Sequence, residues 1–190
     1  YPSNRKVLAF VRRFERELMD VFAVQDEIAG AIVDALRVTL AHPVSRAAPP
    51  TANADAYHLW LKARYHTLRQ TPREVLRSRE LFERAIAIDP EFAPAIAYAA
   101  WCYERRITLG LPPLTADDTE TCLGLVQAAL SHGRDDPVVV AVCGWLTLII
   151  GRDAPKGLGA LRRALAANPN NQVILHHAGF ANLLVGDLTE

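Results

Sequence analysis

Apolar residues recur at three- and four-residue steps along most of the chain, the spacing of helices that bury one face. The first long run is Asp20–Ala41, where Val21, Val24, Ile28, Ala31, Ile32, Ala35 and Val38 fall on one stripe. Asp20 can cap its start, Asp26 and Glu27 lie near the positive end, and His42-Pro43 stops it. Upstream, Val7–Val11 fits either a strand or a helix, and Arg12–Leu18 fits a helix. Residues 43–53, with Pro49-Pro50 and Ser45, read as a linker. From Ala54 onward helical stretches alternate with turns punctuated by Gly and Pro.

Those stretches repeat. Leu81-Phe-Glu-Arg-Ala-Ile-Ala-Ile-Asp-Pro90 and Leu161-Arg-Arg-Ala-Leu-Ala-Ala-Asn-Pro169 end two helices alike, and Leu125–Arg134 has the same shape with Arg134 in the proline's place. Ala85, Ala129 and Ala164 are equivalent, as are the bulky Phe82, Val126 and Leu161. The following helices also match: Ala99-Ala100-Trp101, Cys143-Gly144-Trp145 and Ala178-Gly179-Phe180 are each a small pair followed by an aromatic. A unit of about 34 residues accounts for the spacing, with an insertion at Arg106–Asp117. Gly110-Leu-Pro-Pro113 makes that insertion an extended loop. Thr71-Pro72-Arg73-Glu74 predicts a capping box with proline at the first helical position.

Composition narrows the picture. Of 190 residues, 51 % are hydrophobic and only 7 % aromatic, and the β-branched residues do not alternate, so the expectation is an all-α chain. Twenty-one basic and 21 acidic side chains cancel, which argues against a nucleic-acid surface. No run is long and apolar enough for a membrane span, and Tyr1–Lys6 lacks the core of a signal peptide. A cytoplasmic location and a piece cut from something longer are expected.

The repeated phrases resemble the tetratricopeptide repeat, in which a small residue marks the first helix and alanine, a bulky residue and proline mark the second. Lys62 stands where that family usually has an apolar residue. The resemblance implies a right-handed superhelix, an α-solenoid, over residues 54–190, divided as 56–92, 93–136, 137–171 and a partial unit 172–190. Residues 1–42 would be the end of an upstream domain and a capping or connector helix, with a linker at 43–53. Phe14–Leu18, Asp20–Ile28 and Pro50–Tyr57 are in turn similar to the junction and repeat entry of certain bacterial signalling proteins with a TolB-like domain. Ala9-Phe10 stands where those proteins usually have Leu-Trp. They carry this region behind a class III adenylate cyclase or a winged-helix domain. The resemblance therefore implies a sensor or scaffold region rather than an enzyme.

No arrangement for catalysis is evident, and no cofactor or metal is expected. Cys102, Cys122 and Cys143 fall on or beside small packing positions and read as buried thiols. Adjacent His176 and His177 point about 100° apart on a helix and make a poor chelate. Gly157-Leu-Gly159 reads as a close helix contact, not a phosphate loop. Arg73, Arg77 and Arg84 with Glu74, Glu80 and Glu83 read as a solvated face.

The solenoid resemblance places the second, fifth, ninth and twelfth residues of each unit on the concave face. Tyr57, Trp60, Arg64 and Thr67 hold these places, then Pro94, Ala97, Trp101 and Glu104. Val138, Ala141, Trp145 and Leu148 follow, then Val173, His176, Phe180 and Leu183. All three tryptophans are included. An aromatic, weakly charged groove should prefer hydrophobic side chains. Its occupant could be a protein or peptide segment, the chain's own Asp20–Ala41 helix, a second copy in a homodimer, or a small hydrophobic ligand.

Overall fold

The computed structural model describes Gln25, Glu27, Ile28, residues 50–69 and residues 71–186. Gln25, Glu27 and Ile28 are helical. The rest of the Asp20–Ala41 stripe, the stretches at Val7–Val11 and Arg12–Leu18, residues 43–49 of the linker and residues 187–190 lie outside the described residues. The chain divides into two units, residues 1–54 and 55–190.

Among the described residues from Ala54 onward the regular structure is all helix: α1 (Ala54–Thr67), α2 (Pro72–Ile88), α3 (Ala93–Thr108), α4 (Asp118–Gly133), α5 (Pro137–Ile149), α6 (Ala154–Ala167) and α7 (Gln172–Val185). Short polar caps set most of the starts. Asp136 Oδ1 accepts from the amides of Val138 and Val139, and Asn171 Oδ1 does the same for Val173 and Ile174. Asp117 and Asp153 cap α4 and α6. Such caps satisfy amides that have no partner within the helix. Thr71 Oγ1 accepts from the Glu74 amide, but the Glu74 carboxylate turns to His66 Nδ1 on α1. The predicted capping box is thus half formed, its other half exchanged for a tie between two helices.

Packing follows the repeated phrases. Phe82, Val126 and Leu161 are buried, and so are Ala85, Ala129 and Ala164. One core gathers Ile96, Ala97 and Ala100 of α3, Cys122, Val126 and Ala129 of α4, and Val139, Cys143 and Leu146 of α5. A second joins Val140 and Ala141 of α5 to Leu161 and Ala164 of α6 and to Ile174 and Ala181 of α7. Helix α5 carries no charged residue and touches α3, α4, α6 and α7. The odd-numbered helices α3, α5 and α7 therefore form a row with α4 and α6 behind it.

Glycine fixes one crossing. A Cβ on Gly144 would lie 2.9 Å from Ala160 Cβ and 3.0 Å from the Gly157 carbonyl oxygen, and one on Gly157 only 2.7 Å from the Gly144 oxygen. Backbones of α5 and α6 approach there in a way no side chain permits. Gly159 takes no part, since its nearest neighbour would be Arg163 Nη1 at 3.9 Å. Half of the Gly157-Leu-Gly159 expectation is therefore a close contact, and half is not.

The insertion begins after Thr108 and is held firmly. Asp118, 6 % exposed, accepts from the amides of Leu114 and Thr115 and from Thr115 Oγ1, and pairs with Arg106 Nε at 2.8 Å. Arg106 Nη1 also donates to the Leu111 carbonyl. Gly110, at φ +64°, makes the turn.

Candidate functional site

The aromatic residues expected on one face form a continuous chain of ring contacts. Tyr57 stacks on Trp60 at 5.5 Å, and Trp60 meets the edge of Tyr98 at 6.4 Å. Tyr98 lies 5.7 Å from Trp101, and Trp101 4.9 Å from His177. His177 reaches Trp145 at 5.8 Å, and Trp145 reaches Phe180 at 6.5 Å. The three tryptophans are thus linked, although each sits on a different helix. Tyr98 and His177, neither of them an expected groove position, supply links, and His176 with Phe180 gives a second path from Trp101 to Trp145. Tyr98 and His177 are the direct neighbours of expected positions, Ala97 and His176, which was the available signal.

The row is mostly closed. Tyr57, Trp60 and Glu104 are buried, and Ala97 and Ala141 lie wholly inside the two cores. Arg64, Trp101, Trp145 and Leu148 are half-buried, and His176 and Phe180 are exposed. Arg64 lies over Trp60 and Tyr98, its guanidinium carbon 5.1 and 5.3 Å from the ring centroids, a cation–π arrangement that keeps a charge beside buried rings. Within the row, Phe180 and His176 on α7 are therefore the most accessible rings.

Polar atoms punctuate this chain. Trp60 Nε1, Tyr98 OH, Trp101 Nε1, Glu104 Oε2 and His177 Nε2 are buried with no hydrogen-bond partner among the described residues. The other Glu104 oxygen accepts from Thr108 Oγ1 at 2.5 Å, and Arg105 Nη1 stands 4.0 Å from Oε2. His177 Nδ1 donates to the Val173 carbonyl at 2.8 Å, which leaves Nε2 as an acceptor. Burial, with smaller contributions from His176 and Arg105, pushes the His177 imidazole down to about 4 despite that bond. His177 is accordingly neutral at physiological pH.

The other sequence candidates lie elsewhere. Cys102, Cys122 and Cys143 are free and buried, and burial pushes each thiol up to about 12. Cys102 Sγ lies 3.3 Å from Ser78 Oγ, and Cys122 and Cys143 donate to the carbonyls of Ala100 and Val126. His176 and His177 diverge, one exposed and one buried. Among the described residues no group of three or more His, Cys, Asp or Glu is placed to hold a metal ion. On α2, Arg77 pairs with Glu80 and Arg79 with Glu83, each at 2.9 Å. Arg73, Arg77, Glu74, Glu80 and His66 line an open hollow of about 640 Å³ beside the start of α2. No helix of the described residues is long and apolar enough to cross a membrane.

No family model matches the chain. Over 130 residues, 67 % of its length, it is 30 % identical to a protein of Rhizobium meliloti (strain 1021) named "Putative adenylate cyclase 3". That stretch is 22 % of the relative. The chain is thus similar to part of a bacterial protein whose name places it in signalling.

Proposed function

We propose that the chain is the interaction and sensing region of a longer bacterial signalling protein, a tetratricopeptide-type solenoid that binds rather than catalyses. The likeness to a protein named as an adenylate cyclase supports the signalling context. The cyclase reaction itself would belong to another part of such a protein. The observation that carries the binding role is the aromatic row from Tyr57 to Phe180, half-buried at Trp101 and Trp145 and exposed at Phe180. The half-buried rings of Trp101 and Trp145 and the exposed Phe180 favour a peptide with apolar side chains, the kind of segment that docks in a hydrophobic groove. Apolar side chains would lie against the rings. Binding would bias the neighbouring output domain through the Asp20–Ala41 connector.

Selection of a displayed peptide library against the full chain tests this reading. Peptides rich in Leu, Phe and Met are expected, and their binding should change tryptophan emission. Trp145→Ala should weaken them by roughly tenfold or more. Recovery only of acidic C-terminal peptides, or binding insensitive to both Trp101→Ala and Trp145→Ala, would sink it.

A further inference from the structure

Arginines drawn out of water in this chain are paired, with one exception. Arg79, Arg105 and Arg106 are half-buried, and each stands by a carboxylate, of Glu83, Glu104 and Asp118. Every other described arginine without an ion pair is exposed, save Arg64. That side chain is half-buried on α1, with no ion pair and no hydrogen bond among the described residues.

Its surroundings supply ring faces instead of oxygens. The guanidinium lies over Trp60 and Tyr98, and such faces offset the charge but take up none of its five N–H donors as an oxygen would. The Tyr98 hydroxyl does not serve it, being buried without a hydrogen-bond partner of its own. None of the Arg64 nitrogens belongs to that set of buried, unpartnered atoms. The guanidinium therefore opens to solvent beside Tyr98, whose ring adjoins the half-buried Trp101 at 5.7 Å. A segment lying on Trp101 passes close to a cation that holds no oxygen.

The charge there suits one carboxylate. A guanidinium presents a fork of donors that matches a carboxylate in two parallel bonds. Phosphate is read by clusters of arginines, whereas here Arg64 stands alone and Asp136 sets an opposing charge near the same Tyr98 hydroxyl. Asp136 itself is engaged by the Val138 and Val139 amides and forms no ion pair with Arg64. Capture of a chain terminus uses free backbone amides, and Trp60, Arg64 and Tyr98 lie inside α1 and α3, beyond the first turn. An acidic side chain fits the place better than a terminus.

We propose that Arg64 binds an Asp or Glu side chain of the bound segment, making the ligand an apolar peptide with one required acid. This rests on the peptide-binding reading and gives that peptide its charge. Peptides selected on the full chain while fused at their C-termini to the display carrier test it. They are then synthesised with amidated ends, in the acid form and with Asp or Glu changed to Asn or Gln. The acid form should bind roughly tenfold or more tightly, and that advantage should shrink as salt is raised. Arg64→Gln, with helical circular dichroism retained, should cost the acid form roughly tenfold more affinity than the amide form. Arg64→Lys, which keeps the charge but not the fork, should recover part of the loss. Equal binding of the two forms would overturn the proposal, as would an equal loss for both in Arg64→Gln or a requirement for a free C-terminus. Peptides that depend on Trp145 but are indifferent to their acid would overturn it and leave the peptide-binding reading intact. Binding indifferent to both Trp101→Ala and Trp145→Ala would sink that reading and this proposal with it.

Discussion

The Trp101 and His177 rings lie 4.9 Å apart, joining α3 to α7 past α5, the helix between them in the row. His177 is 1 % exposed, so its ring holds two helices that otherwise meet mainly through a third. His177→Ala should cost roughly 3 kcal/mol, the scale for removing a large buried ring. His177→Phe keeps an aromatic ring, removing the unpartnered Nε2 but also the Nδ1 donor to the Val173 carbonyl, and should cost less than His177→Ala, about 1–2 kcal/mol. Urea midpoints at neutral pH separate the two.

The same imidazole makes stability depend on pH. Its folded value of about 4 lies below the unperturbed value of about 6.5. Between them the unfolded chain binds the proton and the folded chain does not. The stabilisation is therefore complete above about pH 6.5, is lost as pH falls towards 4, and declines by at most about 1.4 kcal/mol per pH unit. His177→Phe should flatten that part of the profile, measured by urea denaturation at successive pH values.

Glycines of one helix pair should respond in opposite directions. Gly157→Ala drives a Cβ to 2.7 Å from the Gly144 oxygen and should destabilise by about 1–3 kcal/mol. Gly159→Ala meets only the end of Arg163 and should stabilise by up to about 1 kcal/mol. Thermal melts of the two variants read the difference directly.

Removing the loop anchor should be costly. Hydrogen bonds from Thr115 and the Leu114 amide, with the Arg106 charge, outweigh burial and hold the Asp118 carboxyl below the usual range. Asp118→Ala leaves Arg106 without its carboxylate and should cost roughly 3 kcal/mol. Limited proteolysis should then cut within Leu109–Asp117, where the parent resists.

The three thiols should be silent in the folded chain. With values near 12 and almost no exposure, they hold almost no thiolate at pH 8. Alkylation counted by mass spectrometry should label Cys102, Cys122 and Cys143 only after denaturant is added.

Helix positions and packing residues were legible because they are written locally, in caps, prolines and the recurrent Phe82, Val126 and Leu161 places. The site was legible only in part. Register placed the tryptophans on one row, but it could not show that Ala97 and Ala141 sink into the cores, because depth depends on how close neighbouring helices come. Nor could it find His177, which joins the row only because α7 turns that ring towards α3. Gly157 and Gly159 look alike in the sequence and differ only in whether a second backbone passes over them. The Arg106–Asp118 staple is long-range chemistry around what reads as an extended loop.

Trp60, Trp101 and Trp145 are this chain's only indoles, and all three sit within a single run of contacting rings. Trp101 and Trp145 both meet the His177 ring, so a rearrangement of that contact should change tryptophan emission. The chain thus carries its own optical reporter, and a peptide bound along the row can be followed without attaching a label.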